Sequence, residues 1–236
     1  MTTAFYVRPN AIQGDLATLE ADEARHASTV LRMQTGDEAF LVDGMGTAYR
    51  GTITSIDAKR VTIAVHTRLS NYLEPPQRVI LAFGLIKSRQ RLEWIIEKGT
   101  ELGVHSFQPL LTTRAERDRI RIDRLDAIAL AAMKQSGRCV LPTIASPLEL
   151  GQLVDAYPDV EQWLLAHESA TEPFDAPTEQ LSALGIMIGP EGGFTPAEIE
   201  ALARENIHPK RLGPTRLRAE TAAIAALSRI LATTLP

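Results

Sequence analysis

Glycine, proline and acidic residues follow an apolar run late in the chain, in an order typical of a ligand-binding turn. Residues 186–188 have the character of a buried strand, and residues 189–194 read Gly-Pro-Glu-Gly-Gly-Phe. Glycine lets the backbone reach positive φ and approach a ligand closely, and open α/β sheets bind ligands at the carboxyl ends of their strands. Thr195 can then cap a helix, with Pro196 at its first position and Glu198 completing a capping box. The pattern predicts a strand, a ligand-binding loop and a helix in succession.

A second loop of similar composition lies closer to the carboxyl terminus. Leu212, Gly213 and Pro214 lead to the sequence Leu-Arg-Ala-Glu-Thr at residues 217–221, which enters an apolar helix. The two loops together indicate one shared pocket, although two tight turns of a Rossmann-like layer would have the same pattern. Neither loop has the lysine of a phosphate-binding loop, and Glu191 would repel a triphosphate. A neutral or cationic ligand such as S-adenosylmethionine therefore fits these loops better than a nucleotide polyphosphate.

Basic side chains precede these loops in three groups. Lys87, Arg89 and Arg91 open a predicted helix, where cations oppose the helix dipole unless an anion such as an RNA phosphate offsets them. Arg138 ends a Gln-Ser-Gly-Arg segment, where it could instead bond the last carbonyls of a helix. The third group could follow an RNA backbone or belong to a solvated loop. It consists of Arg114, Arg117, Arg119, Arg121 and Arg124.

The elements that must position these residues change in character along the chain. Residues 1–69 have runs rich in Val, Ile and Thr between turn-like separators, which predicts a small β barrel or sandwich. Residues 70–77 resemble a linker, and beyond them the alternation of strands and helices predicts a largely parallel sheet covered on both faces. The predicted strands are residues 5–7, 38–42, 48–56, 60–67, 79–85, 107–111, 163–166, 185–188 and 210–212. The predicted helices are residues 22–32, with Asp22 as the cap, and residues 88–102, 122–136, 148–156, 196–205 and 219–233.

Composition is ordinary for a soluble globular protein, with 44% apolar and 23% charged residues. The net charge of −4 conceals an asymmetry, because residues 146–209 carry twelve acidic residues and one arginine while both flanking regions are basic. Overall charge therefore does not exclude RNA binding, which needs only a local basic face. We expect no membrane span and no secretory signal. The single cysteine and five scattered histidines predict no metal site.

Both loops resemble the signature of the SPOUT RNA methyltransferases, and more closely that of the bacterial 16S rRNA uracil-N3 methyltransferase family, RsmE. Three further segments, residues 25–37, 97–104 and 135–142, are similar to the same family in the same order. The resemblance implies an α/β protein with an N-terminal PUA-like RNA-binding β-barrel domain, residues 1–72, and a C-terminal SPOUT methyltransferase domain, residues 73–236. The second domain would have a mostly parallel sheet and a trefoil knot.

The resemblance also implies methyl transfer from S-adenosylmethionine to N3 of a uridine in 16S rRNA of the small ribosomal subunit. The enzyme would be a cytoplasmic homodimer with its site at the interface. Arginines around the base would stabilise the anion that develops on uracil, and the base must be unpaired or flipped out. Catalytic roles are expected for Arg138 and Arg218. The expected cofactor-binding residues are Leu165, His167, Gly189, Pro190, Glu191, Gly192, Gly193, Leu212, Gly213 and Leu217. The expected RNA-binding residues are Arg25, Arg32, Lys87, Arg91 and Arg114.

Two positions depart from the family pattern. Thr215 stands where the family usually has an arginine, and Arg216 follows it. Lys134 stands where a glutamate often precedes the Gln-Ser-Gly-Arg segment. Both departures leave the cofactor loops intact and leave the base-binding roles of individual residues open.

Three other functions remain open at the level of sequence. A related knotted fold methylates the ribose 2′-hydroxyl, which needs no acidic imide, and the position of the methyl group on the nucleoside distinguishes the two reactions. A non-catalytic RNA-binding protein would not bind S-adenosylmethionine. A nucleotide-binding α/β enzyme is the weakest alternative, because the phosphate-loop lysine is missing.

Overall fold

The chain folds into two compact units. The computed structural model describes residues 4–115 and 119–231. The first unit comprises the chain up to Glu74 together with Leu130–Leu141, and the second comprises Pro75–Ala129 and the chain from Pro142 onward. The division passes through one long helix, so residues 130–141 pack in the first unit although they lie within the C-terminal domain predicted from the sequence.

The first unit contains one six-stranded sheet. Its strands pair in the order β1-β4-β5-β6-β3-β2, and every pairing is antiparallel except that of β1 with β4. Within the described residues β1 and β2 do not pair, so the sheet is a curled half-barrel, which agrees with the PUA-like prediction. The strands are β1 (Phe5–Tyr6), β2 (Ile12–Gln13), β3 (Leu16–Glu20), β4 (Glu38–Val42), β5 (Thr47–Ile56) and β6 (Arg60–Ser70).

Alternation of side chains along these strands builds the core of the first unit. Every second residue of β3 and of the first half of β6 is buried, as expected when one face of a sheet covers a core. The fully buried members of this core include Phe5, Leu41, Ile53 and Ile63. The short strands β2 and β3 were not predicted, because residues 12–20 lack the β-branched runs that mark the other strands.

The prediction of a single helix at residues 22–32 is wrong both in its cap, Asp22, and in its length. An α-helix, α1 (Ala21–Arg25), is preceded by Glu20 rather than capped by Asp22, and it passes into a π-helix over His26–Val30. The Ser28 hydroxyl donates to the Ala24 carbonyl at 2.8 Å, and such a bond competes with the regular helical ladder. The amide of Leu31 donates to the carbonyl of His26 at 2.9 Å, five residues back, as in a π-helix.

The second unit is a parallel sheet flanked by helices, as predicted. Its strands pair in the order β10-β8-β7-β12-β11-β13, with β9 also on β8, and all of these pairings are parallel. The strands are β7 (Arg78–Gly84), β8 (Ser106–Leu111), β9 (Thr143–Ile144), β10 (Leu148–Glu149), β11 (Gln162–Ala166), β12 (Ala183–Ile188) and β13 (Pro209–Lys210). The helices are α2 (Arg89–Leu102), α3 (Ile122–Ser136), α4 (Leu153–Ala156), α5 (Pro196–Arg204) and α6 (Ala219–Leu231).

The central position of β12 explains why it reads as a continuous apolar run. All six of its residues are buried, as expected for a parallel strand covered on both faces. The trefoil knot implied by the resemblance does not follow from the strand order alone and stays a prediction. No helix in the described part of the chain combines the length and the apolar character that crossing a membrane requires.

Two predicted elements of the second unit need correction. The helix predicted at residues 148–156 begins instead as β10, continues as a 3-10 turn over Leu150–Gln152 and becomes α-helical only in α4. Leu148 pairs with Leu110 of β8, a contact distant in sequence that local periodicity cannot show. The strand predicted at residues 210–212 is β13, which ends at Lys210, where the chain turns into the second loop. Residues 232 and 233 of the last predicted helix lie outside the described residues.

Candidate active site

A cavity of about 890 Å³ lies at the carboxyl ends of the parallel strands, within the second unit. Ala166 and Ile188, the last residues of β11 and β12, contribute to its wall. Both loops that the sequence singled out open onto it, as do the first turns of α5 and α6. The structure therefore brings the two loops together in one pocket, at the edge of the sheet where open α/β folds bind ligands.

The first loop, residues 189–194, is shaped by close backbone contacts. The amide of Gly193 donates to the carbonyl of Pro190 at 2.8 Å, and Gly193 has a left-handed φ of +67°. Gly84 at the end of β7 lies directly against the loop, because a Cβ at this position would stand 2.4 Å from Cδ of Pro190. A side chain at either glycine would therefore change the path of the loop.

The capping box predicted at the start of α5 is confirmed. The Thr195 hydroxyl accepts the amide of Glu198 at 3.2 Å, and the Glu198 carboxylate accepts the amide of Thr195 at 2.7 Å. The same carboxylate accepts the amide of Thr113 at 2.8 Å. Burial raises the pKa of Glu198, but the hydrogen bonds from Thr195 and Thr113 outweigh burial and hold this pKa below its ordinary value. Glu198 thus joins the first loop to the segment that follows β8.

Glu198→Gln is expected to destabilise the protein at neutral pH by about 1 kcal/mol, the usual contribution of a helix cap. The folded-state pKa of Glu198 is depressed, so its contribution is complete above the ordinary glutamate value of 4.5 and is lost as the pH falls through the folded-state pKa. Chemical unfolding of both proteins across the acid range measures this. The difference between them should shrink as the solution is acidified, and a difference that grows in acid would contradict the assignment.

Two charged side chains, those of Arg114 and Glu191, hold the first loop in place by hydrogen bonds. The Arg114 Nη1 donates to the carbonyl oxygens of Gly192 at 2.7 Å and Phe194 at 3.3 Å. The Glu191 carboxylate accepts the amide of Lys87 at 3.2 and 3.3 Å, so this glutamate ties the first loop to the segment that follows β7. Arg114 lines the cavity, whereas Lys87 meets the loop through its backbone.

The second loop is held by an arginine that the sequence did not single out. Arg211 donates through Nε to the carbonyl of Gly213 at 2.9 Å and through Nη2 to that of Pro214 at 3.1 Å. Its position directly before Leu212 was the available signal, since a long cation beside a glycine-proline turn can satisfy exposed carbonyls. The amide of His167 donates to the carbonyl of Lys210 at 2.9 Å, and this bond joins the end of β11 to the second loop.

The structure places nine of the ten expected cofactor-binding residues around the cavity. The exception is Leu165, whose side chain is fully buried in the core of the second unit; its neighbours Ala166 and His167 line the cavity instead. Leu165 faces the core because adjacent residues of a strand point to opposite sides of the sheet. The lining members of the expected set are His167, Gly189, Pro190, Glu191, Gly192, Gly193, Leu212, Gly213 and Leu217.

Three further arginines border the cavity. Arg91 is paired through Nε with the Glu220 carboxylate at 3.3 Å, and Arg216 is paired with Glu168 at 3.0 Å. Arg218 is exposed, and its guanidinium has no hydrogen bond or ion pair within residues 4–115 and 119–231. Arg218 is thus the cavity arginine best placed to meet an incoming anion.

Arg138 lies outside the cavity, in the first unit, and forms a buried ion pair. Its guanidinium donates to Glu74 through Nε at 3.0 Å and Nη2 at 2.6 Å, and the two side chains are only 2% and 3% exposed. The other Glu74 oxygen accepts the amides of Cys139 and Val140, each at 2.9 Å. This is the geometry of a structural residue, and the catalytic role expected for Arg138 stays a prediction.

Neighbouring groups in the first unit fit a structural interpretation as well. Lys134, one of the departures from the family pattern, is paired with Glu23. Burial raises the pKa of the Cys139 thiol to about 12, which makes it an unreactive thiol rather than a nucleophile. Arg25 is exposed and paired with Asp22 at 3.2 Å, and Arg32 is exposed with a left-handed φ of +53°. Their RNA-binding roles stay predictions.

Metal chemistry receives no support from the side chains whose positions are known. Among the described residues no three His, Cys, Asp or Glu side chains cluster as a metal ion would require. Of the arginine run after β8, Arg117 lies outside the described residues. The cavity wall combines glycine-rich backbone, apolar side chains, arginines and the glutamates Glu168, Glu191 and Glu200.

Comparison with known proteins shows that this sheet with its two loops over one cavity belongs to an RNA methyltransferase. Residues 73–231 match the family model of the RNA methyltransferase domain, and residues 19–65 match that of the RNA methyltransferase PUA domain. The ribosomal RNA small subunit methyltransferase E of Bacillus subtilis is 33% identical over 227 residues, which cover 90% of this chain and 88% of that protein. The enzyme of the same name from Mycobacterium bovis is 33% identical, with 96% and 90% covered.

Solved structures are similar to this chain over nearly its full length. A ribosomal RNA small subunit methyltransferase E from Neisseria gonorrhoeae, bound to S-adenosylmethionine, superposes with a TM-score of 0.86 at 26% identity and covers 97% of this chain and 96% of that one. A Legionella pneumophila protein described as a methyltransferase with the same bound cofactor superposes with a TM-score of 0.81 at 30% identity, covering 99% and 98%. The chain belongs to the ribosomal RNA small subunit methyltransferase E family, which confirms the resemblance of its two loops.

Proposed function

We propose that this protein transfers a methyl group from S-adenosylmethionine to N3 of a uridine in the 16S rRNA of the small ribosomal subunit. The observation that carries the proposal is the meeting of both glycine loops in one cavity at the carboxyl edge of the parallel sheet. Members of the same family are named ribosomal RNA small subunit methyltransferase E, and the Neisseria gonorrhoeae member is bound to S-adenosylmethionine.

The residues of the cavity fit this cofactor. A Cβ at Gly193 or at Gly213 would meet no atom within 4 Å, so at both positions the backbone borders open space that a ligand can enter. The volume of about 890 Å³ lies within the range of small-molecule sites. Backbone at Gly189, Gly193 and Leu212 would bond the adenosine, and Leu217 would pack against it. When bound, the cofactor supplies an electrophilic methyl group on a cationic sulfur.

The arginines supply the electrostatics that methylation of an imide nitrogen needs. Uracil N3 becomes a useful nucleophile only as its proton leaves, and negative charge then develops on O2 and O4. Preorganised cations beside that charge lower the barrier. Within the described part of the chain the Arg218 guanidinium at the cavity has no ion-pair partner, whereas Arg91 is held there by Glu220 at 3.3 Å. We assign Arg218 to stabilise the base anion and Arg91 to assist it or to bind a neighbouring phosphate.

The remaining parts of the proposal concern partners and place of action. The segment that matches the PUA domain, together with the exposed Arg25 and Arg32, supports RNA contact by the first unit. We further propose that the protein acts as a homodimer in the cytoplasm, as the resemblance of the chain to its family implies. Analytical ultracentrifugation would detect the dimer.

Primer extension on 16S rRNA tests the proposed reaction in cells. Methylation at N3 blocks base pairing, so the copying enzyme should stop at one uridine in wild-type cells and read through in cells lacking the protein. Reintroduced wild-type protein and Arg78→Ala should restore the stop. Arg78 is the control because it lies at the amino end of β7, away from the cavity. Arg218→Ala should not restore it, and identical extension with and without the protein would refute the proposed substrate.

A further inference from the structure

The segment that follows β8 is fastened to the second half of the first glycine loop and to the start of α5. The amide of Thr113 donates to Glu198 at 2.8 Å, at the end of the loop where α5 begins. One residue later, Arg114 Nη1 donates to the carbonyls of Gly192 at 2.7 Å and Phe194 at 3.3 Å. Backbone and side chain of two consecutive residues thus hold one short stretch of the loop.

The side chain of Arg114 also covers the loop. A Cβ at Gly192 would stand 3.1 Å from Cβ and 3.3 Å from Cδ of Arg114, so the aliphatic part of the arginine lies over the glycine backbone. Glycine-rich backbone has more conformational freedom to lose than any other. A cation that bonds two of its carbonyls through charge-assisted hydrogen bonds restricts that freedom, and these are the stronger class of hydrogen bond.

We propose that Arg114 is a positioning residue of the cofactor site rather than an RNA contact. By fixing the carbonyls of Gly192 and Phe194, it holds the intervening Gly193 amide and the turn from Pro190 in the shape that adenosine requires. This inference rests on the proposed function, because it assumes that the cavity binds S-adenosylmethionine. Arg114 was expected to bind RNA because it lies in an arginine-rich run, and the inference gives it a different role.

Calorimetry with S-adenosylmethionine on the full-length protein tests the positioning role. Arg114→Ala should raise the dissociation constant about tenfold or more, since a hydrogen bond from a charged group contributes roughly that factor or above. Arg114→Lys should recover part of the affinity, because an ammonium can reach the carbonyls without the rigid fork of a guanidinium. Arg78→Ala, an exposed arginine paired with Asp159, should bind like the wild type. In turnover the KM for the cofactor should rise in Arg114→Ala while kcat changes little.

The alternative is that Arg114 contacts RNA. Binding of 16S rRNA fragments without cofactor, at several salt concentrations, tests it. A lost phosphate contact reduces the slope of log affinity against log salt by about 0.7–0.9. We expect the slope and the affinity of Arg114→Ala to equal those of the wild type. A smaller slope with unchanged cofactor affinity would overturn the inference, as would unchanged values in both experiments. Should the alanine variant unfold, the comparison of Arg114→Lys with wild type decides between the same outcomes. Failure of the wild type to bind S-adenosylmethionine would instead refute the proposed function.

Discussion

Arg138→Ala is expected to lower the free energy of unfolding by about 3–5 kcal/mol, the cost of breaking a buried ion pair from one side. The substitution leaves the Glu74 carboxylate, only 3% exposed, without its guanidinium partner. That carboxylate also accepts the amides of Cys139 and Val140, so its displacement would disturb the backbone after α3 as well. Chemical denaturation followed by circular dichroism measures the change.

Arg60→Ala is the matched control for Arg138. Arg60 belongs to the same unit and pairs with Glu20 at 3.3 Å, but the two side chains are 65% and 61% exposed. Exposed pairs contribute roughly 1 kcal/mol or less, so this variant should unfold nearly as the wild type does. Equal stability of the Arg138 and Arg60 variants would show that the buried pair is not a structural requirement, and would return Arg138 to the candidates for chemistry.

Gly84→Ala should strongly weaken the binding of S-adenosylmethionine. The new Cβ would lie 2.4 Å from Cδ and 2.6 Å from N of Pro190, so the backbone of the first loop would have to move. Overpacking of this kind costs about 1–3 kcal/mol. A displaced loop that must return to its original shape to bind the cofactor loses that energy from binding, which corresponds to roughly fivefold to 150-fold in the dissociation constant of S-adenosylmethionine. Calorimetric titration of the purified variant measures the loss.

Gly151→Ala controls for the general effect of replacing a glycine. It lies in the same unit, has no left-handed φ, and an added Cβ would meet nothing within 4 Å. The variant should bind S-adenosylmethionine as tightly as the wild type. If Gly84→Ala also kept full affinity while remaining folded, the first loop could not be the part of the cavity that holds the cofactor.

The local features of the site were predictable because they depend on neighbours in sequence. The capping box of Thr195 and Glu198 spans three residues, and the glycines at 189, 192 and 193 are needed within one turn. Residue types alone therefore identified the strand, loop and helix in order. The same holds for α2, predicted over residues 88–102, because Ser88 is its N-cap and Gly103 ends it with a φ of +110°.

Contacts between distant residues were not predictable in this way. Glu74 and Arg138 are far apart in sequence, and nothing in the Gln-Ser-Gly-Arg segment shows that its arginine will be buried. Arg114 stands in a run of arginines, which favours an RNA contact, yet its guanidinium bonds a loop that follows much later in the chain. The carbonyl groups that an arginine side chain bonds are those that the fold leaves exposed near it. The folded sheet determines which carbonyls these are, and the local sequence does not.

Incubation of the full-length protein with methyl-labelled S-adenosylmethionine and small ribosomal subunits from cells lacking it tests the central claim most directly. The RNA is then digested to nucleosides and analysed by mass spectrometry. We predict label in 3-methyluridine from 16S rRNA, and much less of it from Gly84→Ala than from the wild type at limiting cofactor. Label in a ribose-methylated nucleoside, or no label although the wild type binds the cofactor, would contradict methylation of uracil N3.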